Sequence, residues 1–262
     1  MLREAKHVNK TMPGQLATLE LARPKLPKKE YKRTLKALQL DLLVLQQAIY
    51  AQGGRAIINV EGMDAAGKGG AILRLVRRID PRGYKVYRIG APAPWEQARH
   101  YLYRFWSRLP GPGELVIFDR SWFGRVLVER VEGLASDSEW RRAYGEINAF
   151  EKMLADDGVT LVKLWFHIDP DEQLRRFRER QDNPFKRWKL TKEDWRNRER
   201  WDSYIEAAEE MFQQTSTEHA PWTLVAANNK HHARLEALRA VVDALTATMR
   251  RQGQPVPRRN KR

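Results

Sequence analysis

The sequence predicts an α/β fold in which helices cover both faces of a mostly parallel sheet. Three observations carry this expectation. Short apolar runs alternate along the chain with longer segments of helical periodicity. The runs at 56–60, 115–118 and 161–168 are dominated by apolar residues, as in strands buried on both faces. A length of 262 residues fits one such domain, and no internal repeat or low-complexity linker divides it.

The elements follow in order. Residues 1–29, rich in Pro, Lys and Gly, read as a basic extended arm. From Glu30 to Gln52, Leu35, Leu38, Leu42, Leu45 and Ile49 form an apolar stripe at helical spacing. That stripe is available to this domain or to a partner subunit. Gly53-Gly54 stops the helix. A strand at 56–60 leads into a glycine-rich turn, and a helix over 71–79 ends at Asp80-Pro81. Further strands are expected at 84–89, 115–118, 161–168 and 222–225. Helices are expected at 95–107, 122–131, 139–155, 170–181, 192–213 and 231–249. Residues 250–262 read as a disordered basic tail, so the organised domain spans 30–249.

Composition excludes several classes. There is no cysteine, hence no disulfide scaffold, thiolate metal site or Cys nucleophile. No run approaches 18 apolar residues, and the start lacks a signal-peptide core, so a cytoplasmic protein without membrane association is expected. The formal charge of +15 calls for an anionic partner. It is unevenly placed: residues 1–37 hold ten Lys/Arg against three Glu, 175–200 hold eleven against five acids, and 250–262 hold six against none. The middle run contains Trp188 and Trp195, which imply packing, so its crowded charge needs an anion to relieve repulsion.

The turn Gly62-Met63-Asp64-Ala65-Ala66-Gly67-Lys68-Gly69 follows a strand and opens a helix, matching the phosphate-binding pattern G-x-x-x-x-G-K. Glycines let successive N–H groups point inward, the helix adds its positive end, and Lys68 adds a charge. The phosphate-binding backbone is assigned to Gly62, Ala65, Ala66, Gly67, Lys68, Gly69 and Gly70. Two departures stand out. Gly69 replaces the Ser/Thr that usually ligates Mg²⁺, and an acid, Asp64, lies inside the loop. A carboxylate beside phosphates is repulsive unless a cation lies between them, so Asp64 is expected to replace the hydroxyl as a metal ligand, with hydrogen bonding to the loop amides as the structural alternative. The run ending Phe118-Asp119-Arg120 puts a second acid at a strand terminus, suited to hold the same metal. Arg120 and Arg125 can bind phosphate oxygens, with pairing to Glu129 or Glu96 as the structural alternative.

Arg175, Arg176, Arg178 and Arg180 lie on one helix, and the break at Asn183-Pro184 leads through Lys186 and Lys189 to a second. This reads as a helical lid over about 175–200 that closes on phosphates and excludes water. Asp194 stands three residues after Thr191, the spacing of a capping box, and either caps or faces the site.

Together, G-M-D-A-A-G-K-G-G-A-I at 62–72, F-D-R-S-W-F-G-R-V-L-V-E-R-V at 118–131 and N-P-F-K-R-W-K-L-T-K-E-D-W at 183–195 resemble the polyphosphate kinase 2 family. A-P-W at 220–222 and the stretch from Lys230 to Arg234 also fit. The resemblance implies a P-loop kinase-like three-layer sandwich with a lid. It implies reversible Mg²⁺-dependent phosphoryl transfer, with Mn²⁺ as a substitute, between inorganic polyphosphate and a nucleoside mono- or diphosphate, in a dimer or tetramer. Asp64 and Asp119 would hold metal; Lys68, Arg120 and Arg180 would grip the transferring phosphates. Arg175, Arg178, Lys186, Lys189 and Asp194 would serve the lid side. The stretch Gly124–Gly133 looks more like the AMP-phosphorylating branch, which often carries two fused domains where this sequence has one. The competing readings are an ATP-dependent nucleotide kinase, which Gly69 argues against, and a non-enzymatic P-loop protein that binds nucleic acid through its basic surface.

Overall fold

The computed structural model describes residues 14–257. A helical turn, α1 (Gln15–Thr18), sits within the segment expected to be extended; the expected arm otherwise falls partly on residues 1–13, outside the described residues. The long helix α2 (Lys28–Gln52) ends at Gly53, whose φ of 68° lets its N–H reach Ile49 O. Strand β1 (Arg55–Gly62) leads through the glycine-rich turn to α3 (Lys68–Val76), which starts one turn earlier than the sequence suggested. Then come β2 (Tyr84–Arg88), the short helices α4 (Pro94–Gln97) and α5 (Tyr103–Trp106), and β3 (Leu115–Asp119). After a 3-10 turn at Trp122–Arg125 follow α6 (Val128–Val131), α7 (Asp137–Asp156) and β4 (Val159–His167). The chain closes with α8 (Pro170–Asp182), α9 (Lys192–Glu199), α10 (Trp201–Thr215), β5 (Trp222–Ala226) and α11 (Lys230–Arg251).

All five strands are parallel, in the order β2-β3-β1-β4-β5, with helices on both sides. This is the P-loop kinase-like three-layer α/β arrangement. Ala56 stands opposite Leu115 and Thr160, and Val60 opposite Asp119 and Leu164. Ile57, Ile58, Val60, Val116, Ile117, Phe118, Leu164 and Phe166 are fully buried, which explains the unbroken apolar character of the central strands. The stripe of α2 buries Leu42, Leu45 and Ile49 within this domain, where the helix packs against α11. Each such burial contributes about 2 kcal/mol.

Three expected helices are broken. The segment 95–107 forms only α4 and α5, because Trp95 and Trp106 remain about half exposed and no buried stripe sustains a longer helix. The segment 122–131 leaves the helical region at Leu127, with φ −109° and ψ −96°. The segment 192–213 breaks at Arg200, because α9 buries nothing, whereas α10 buries Ala207, Ala208, Met211 and Phe212. The tail also departs from expectation in its described part: Val256 packs against the core. Residues 258–262 lie outside the described residues. Among the described residues no helix is long and apolar enough to cross a membrane.

Candidate active site

From β1 the chain moves to one side of the sheet for β2 and β3, then to the other for β4 and β5. The carboxyl end of β1 is therefore the switch point where open α/β sheets bind ligands. The turn after it is tightly specified. A Cβ on Gly62, whose φ is 136°, would lie 2.2 Å from Phe166 O, so only glycine fits there. Met63 N donates to Phe166 O at 3.0 Å. Ala65 adopts a φ of 62°, uncommon for a residue with a side chain.

Helix α8 holds the back of this turn. Gln173 Nε2 donates to Asp64 O at 3.1 Å, and Arg176 Nη1 donates to Ala65 O and Ala66 O, each at 2.9 Å. Arg176 Nη2 donates to Ala227 O at 2.7 Å and Asn228 O at 3.0 Å, and its Nε donates to Glu172 at 2.5 Å. Arg176 and Gln173 are both fully buried. Because peptide units are planar and trans, turning these carbonyls toward α8 turns the N–H groups of Ala65 and Gly67 the other way. Ala66 N donates to Met63 O.

The acids and cations expected here do converge. Asp64 accepts from Arg120 Nη2 at 3.2 Å and from Asn197 Nδ2 at 2.8 Å, and Tyr204 OH donates to Asn197 Oδ1 at 3.2 Å. Asp119 ends β3 beside Val60, and among the described residues no donor reaches its half-buried carboxylate. Arg120 turns away with a φ of 68° and donates its N–H to Val60 O at 3.1 Å. Lys68 Nζ is folded onto its own loop, donating to Gly62 O at 2.5 Å and Met63 O at 3.0 Å. Burial pulls its pKa below the ordinary lysine value, opposed by the charges of Asp64, Asp119 and Glu61. Glu61, fully buried, accepts from Ser121 N at 2.6 Å and Ser121 Oγ at 2.9 Å. Burial drives its carboxyl pKa upward.

Among the described residues no group of three or more His, Asp or Glu could enclose a metal. Two carboxylates, Asp64 and Asp119, fit a hard cation that takes its other ligands from phosphate oxygens and water, the usual situation of Mg²⁺.

A cleft beside the turn is lined by Ala65, Ala66, Gly67 and Gly70 and by the cations Arg180, Lys186, Lys230 and Arg234, with Glu179 its one acid. The other residues expected to serve a lid lie elsewhere. Arg175 pairs with Glu172 at 2.6 Å and also with Glu179. Arg178 is exposed. The Lys189 ammonium lies 5.1 Å from the Trp188 ring. Asp194 closes the capping box with Thr191, accepting from its N and Oγ1 at 2.8 Å, while its other oxygen is 4.0 Å from Arg180. Arg125 pairs with Glu129 at 3.0 Å and lies over the Tyr101 ring at 4.6 Å, whereas Glu96 pairs with Arg104 and Arg108. The aromatics of the segment 175–200 pack less than expected: Trp195 meets Phe177 at 5.1 Å, but Trp188 is 69% exposed. None of the three residues of the short turn Arg187–Lys189 that carries Trp188 is buried.

Sequence reasoning missed Gln173, Asn197 and Glu61 as site residues, and read Arg176 only as a lid charge. It left Lys230 and Arg234 unassigned, although their i, i+4 spacing at the start of α11 places both on one face.

The likeness to known proteins extends along the chain. The sequence model of the family described as polyphosphate kinase 2 matches residues 25–253. A polyphosphate:AMP phosphotransferase of Acinetobacter johnsonii is 49% identical over 236 residues, which is 90% of this chain and 48% of that one. This chain thus spans about half the length of that relative. A GDP-polyphosphate phosphotransferase of Mycolicibacterium smegmatis is 44% identical over 213 residues, 81% of this chain and 75% of that one. The crystal structure of polyphosphate kinase 2 from Arthrobacter aurescens TC1 superposes with a TM-score of 0.86 and 34% identity, covering 94% of this chain and 89% of the other. With the phosphate loop, the sheet order and these matches in agreement, the chain belongs to the polyphosphate kinase 2 family.

Proposed function

We propose that this protein transfers a phosphoryl group reversibly between inorganic polyphosphate and a nucleotide, with AMP as the first acceptor to test. The observation that carries the reading is the meeting of Asp64, Lys68 and Asp119 at the turn beside a cleft walled by Arg180, Lys186, Lys230 and Arg234. The choice of AMP follows relatives named polyphosphate:AMP phosphotransferase at 49% and 48% identity.

In this reading the terminal phosphoryl of the polymer rests on the turn. A terminal phosphate oxygen of the nucleotide attacks it in line, the P–O bond to the next phosphate breaks, and the polymer leaves one unit shorter. The attacking oxygen is already anionic near neutral pH, so no strong general base is needed. Catalysis is then positioning and charge neutralisation. Lys68 exchanges its two carbonyl contacts for phosphate oxygens. Arg120 holds Asp64 in place and adds its own charge beside the transferring group. Asp64 and Asp119 would hold Mg²⁺, which when bound supplies positive charge against the phosphates. Arg180 and Lys186 close over the donor and exclude water, so transfer does not become hydrolysis.

The test is direct. The protein is incubated with long-chain polyphosphate and Mg²⁺ and, in separate reactions, AMP, ADP, GMP or GDP, and the products are separated. Polyphosphate-dependent formation of ADP from AMP is expected. Failure with all four acceptors, when ATP serves as donor instead, would overturn the reading.

A further inference from the structure

A second cleft adjoins the first and shares Lys230 with it. Its lining comes from two places far apart in sequence: Lys25, Leu26, Pro27 and Lys28 ahead of α2, and Asn228, Asn229, Lys230 and His231 at the start of α11, with Arg175 beside them. The lining includes four Lys/Arg and no acid. Arg175 is engaged by Glu172 and Glu179, and Lys230 lies 3.7 Å from Glu179. Lys25 and Lys28 are exposed, and among the described residues neither has an acidic partner. The segment that presents them is fastened down. Pro24 O lies 2.7 Å from His232 Nε2, and the Tyr31 ring stacks on His231 with centroids 3.9 Å apart. Pro24 and Pro27 stiffen it further. A fixed strap that gathers unpaired cations beside another basic cleft is repelled by itself until an anion bridges it.

We propose that this second cleft is a binding site for the distal phosphates of a polyphosphate chain. The polymer leaves the phosphate loop, passes Lys230 and lies along the Lys25–Lys28 strap. The inference rests on the proposed polyphosphate activity and adds a site to it: a long donor is held at two clefts, a short one only at the first. Burial and the neighbouring charges of Arg176 and Arg175 already pull the Lys230 pKa down, in keeping with cations crowded at the junction of the two clefts.

The test uses the full chain carrying Lys25→Ser and Lys28→Ser together. Both side chains are exposed, and an unchanged melting temperature verifies folding. Steady-state transfer to AMP is measured with long-chain polyphosphate, and tripolyphosphate is titrated as a competing short ligand. The expected result is a rise of about fivefold in KM for the long polymer, from two lost exposed charge contacts. kcat, KM for AMP and tripolyphosphate affinity stay unchanged. An unchanged KM, or an equal loss for tripolyphosphate, overturns the site. Filter binding of labelled long-chain polyphosphate and of a random oligonucleotide across a salt series is run in parallel. The variant should show a shallower salt dependence for polyphosphate; an oligonucleotide bound as tightly and weakened equally would show a general polyanion surface and overturn the assignment. If the wild-type protein transfers nothing from polyphosphate, the activity reading fails separately, and filter binding still decides the site: weaker polymer binding by the variant supports it, equal binding refutes it.

Discussion

Arg176 shows why the site was only partly legible in the sequence. Asp64 and Lys68 could be read because the G-x-x-x-x-G-K spacing fixes a local backbone shape, and Asp119 because it ends an apolar run. Arg176 looked like one more lid charge, yet its partners are four backbone carbonyls and Glu172. Carbonyls have no signature in composition, and only topology brings residues 65, 66, 227 and 228 to one guanidinium. Lysine offers three donors from one point and cannot serve this planar set. Arg176→Lys should therefore loosen the loop and lower kcat/KM about 10- to 100-fold. kcat should fall more than KM for AMP changes, measured on protein confirmed as folded by circular dichroism. Full kcat in a folded variant would refute a positioning role.

Among elements, legibility followed burial. Helices α2, α7 and α11 were readable because each covers the core with a stripe; the segment at 95–107 buries Leu102 and Phe105 but leaves Trp95, Tyr103 and Trp106 largely exposed. Helix α3 permits a sharper test. A Cβ built on Gly69 meets nothing within 4 Å, so no packing contact requires glycine at this early helical position. Gly69→Ser should stay within about 0.5 kcal/mol of wild type in urea denaturation, on the stabilising side, from helix propensity alone. A loss above about 1 kcal/mol would show a backbone demand that the geometry does not reveal. Between β4 and α7, Lys163 and Glu151 form a fully buried pair at 2.7 Å; Lys163 also donates to Thr215 O, and Trp122 Nε1 donates to Glu151. Burial pulls the lysine pKa down and pushes the glutamate pKa up. Lys163→Met should cost about 3–5 kcal/mol by stranding a buried carboxylate. Adding Glu151→Leu should bring stability back toward wild type. A double variant weaker than the single would show that the pair contributes more than mutual neutralisation.

For the molecule as a whole, alternation of strand and helix announced the class, but the order β2-β3-β1-β4-β5 had no local signal. Strand order depends on which side of β1 each crossover takes, and that choice is made by packing of whole layers. One property spans the fold and can be titrated. His167 ends β4, and burial lowers its pKa to about 4, against the opposing charge of Asp169. The unfolded chain, with a histidine near 6.5, then binds more protons than the folded one between these values. Its contribution is present above about pH 6.5 and is lost as pH falls toward 4, by up to about 3 kcal/mol. His167→Gln should flatten this part of the stability profile in denaturant titrations at stepped pH. Parallel profiles for wild type and variant would exclude His167 as the group responsible.

The five-donor contact of Arg176 also bears on the order in which the protein becomes competent during synthesis. The ribosome delivers Asp64, Lys68 and Asp119 first, and helices α8 and α9 after them. Ala227 and Asn228, which share a guanidinium with the loop, emerge only after all of these. A nascent chain stalled at Pro221 would own every residue of the phosphate loop and lack the strand end against which it is braced. Ribosome-bound chains of that length should retain no polyphosphate on a filter, whereas chains tethered by a linker after Arg262 should retain it fully. Equal capture at both lengths would mean that the loop matures without its last partner.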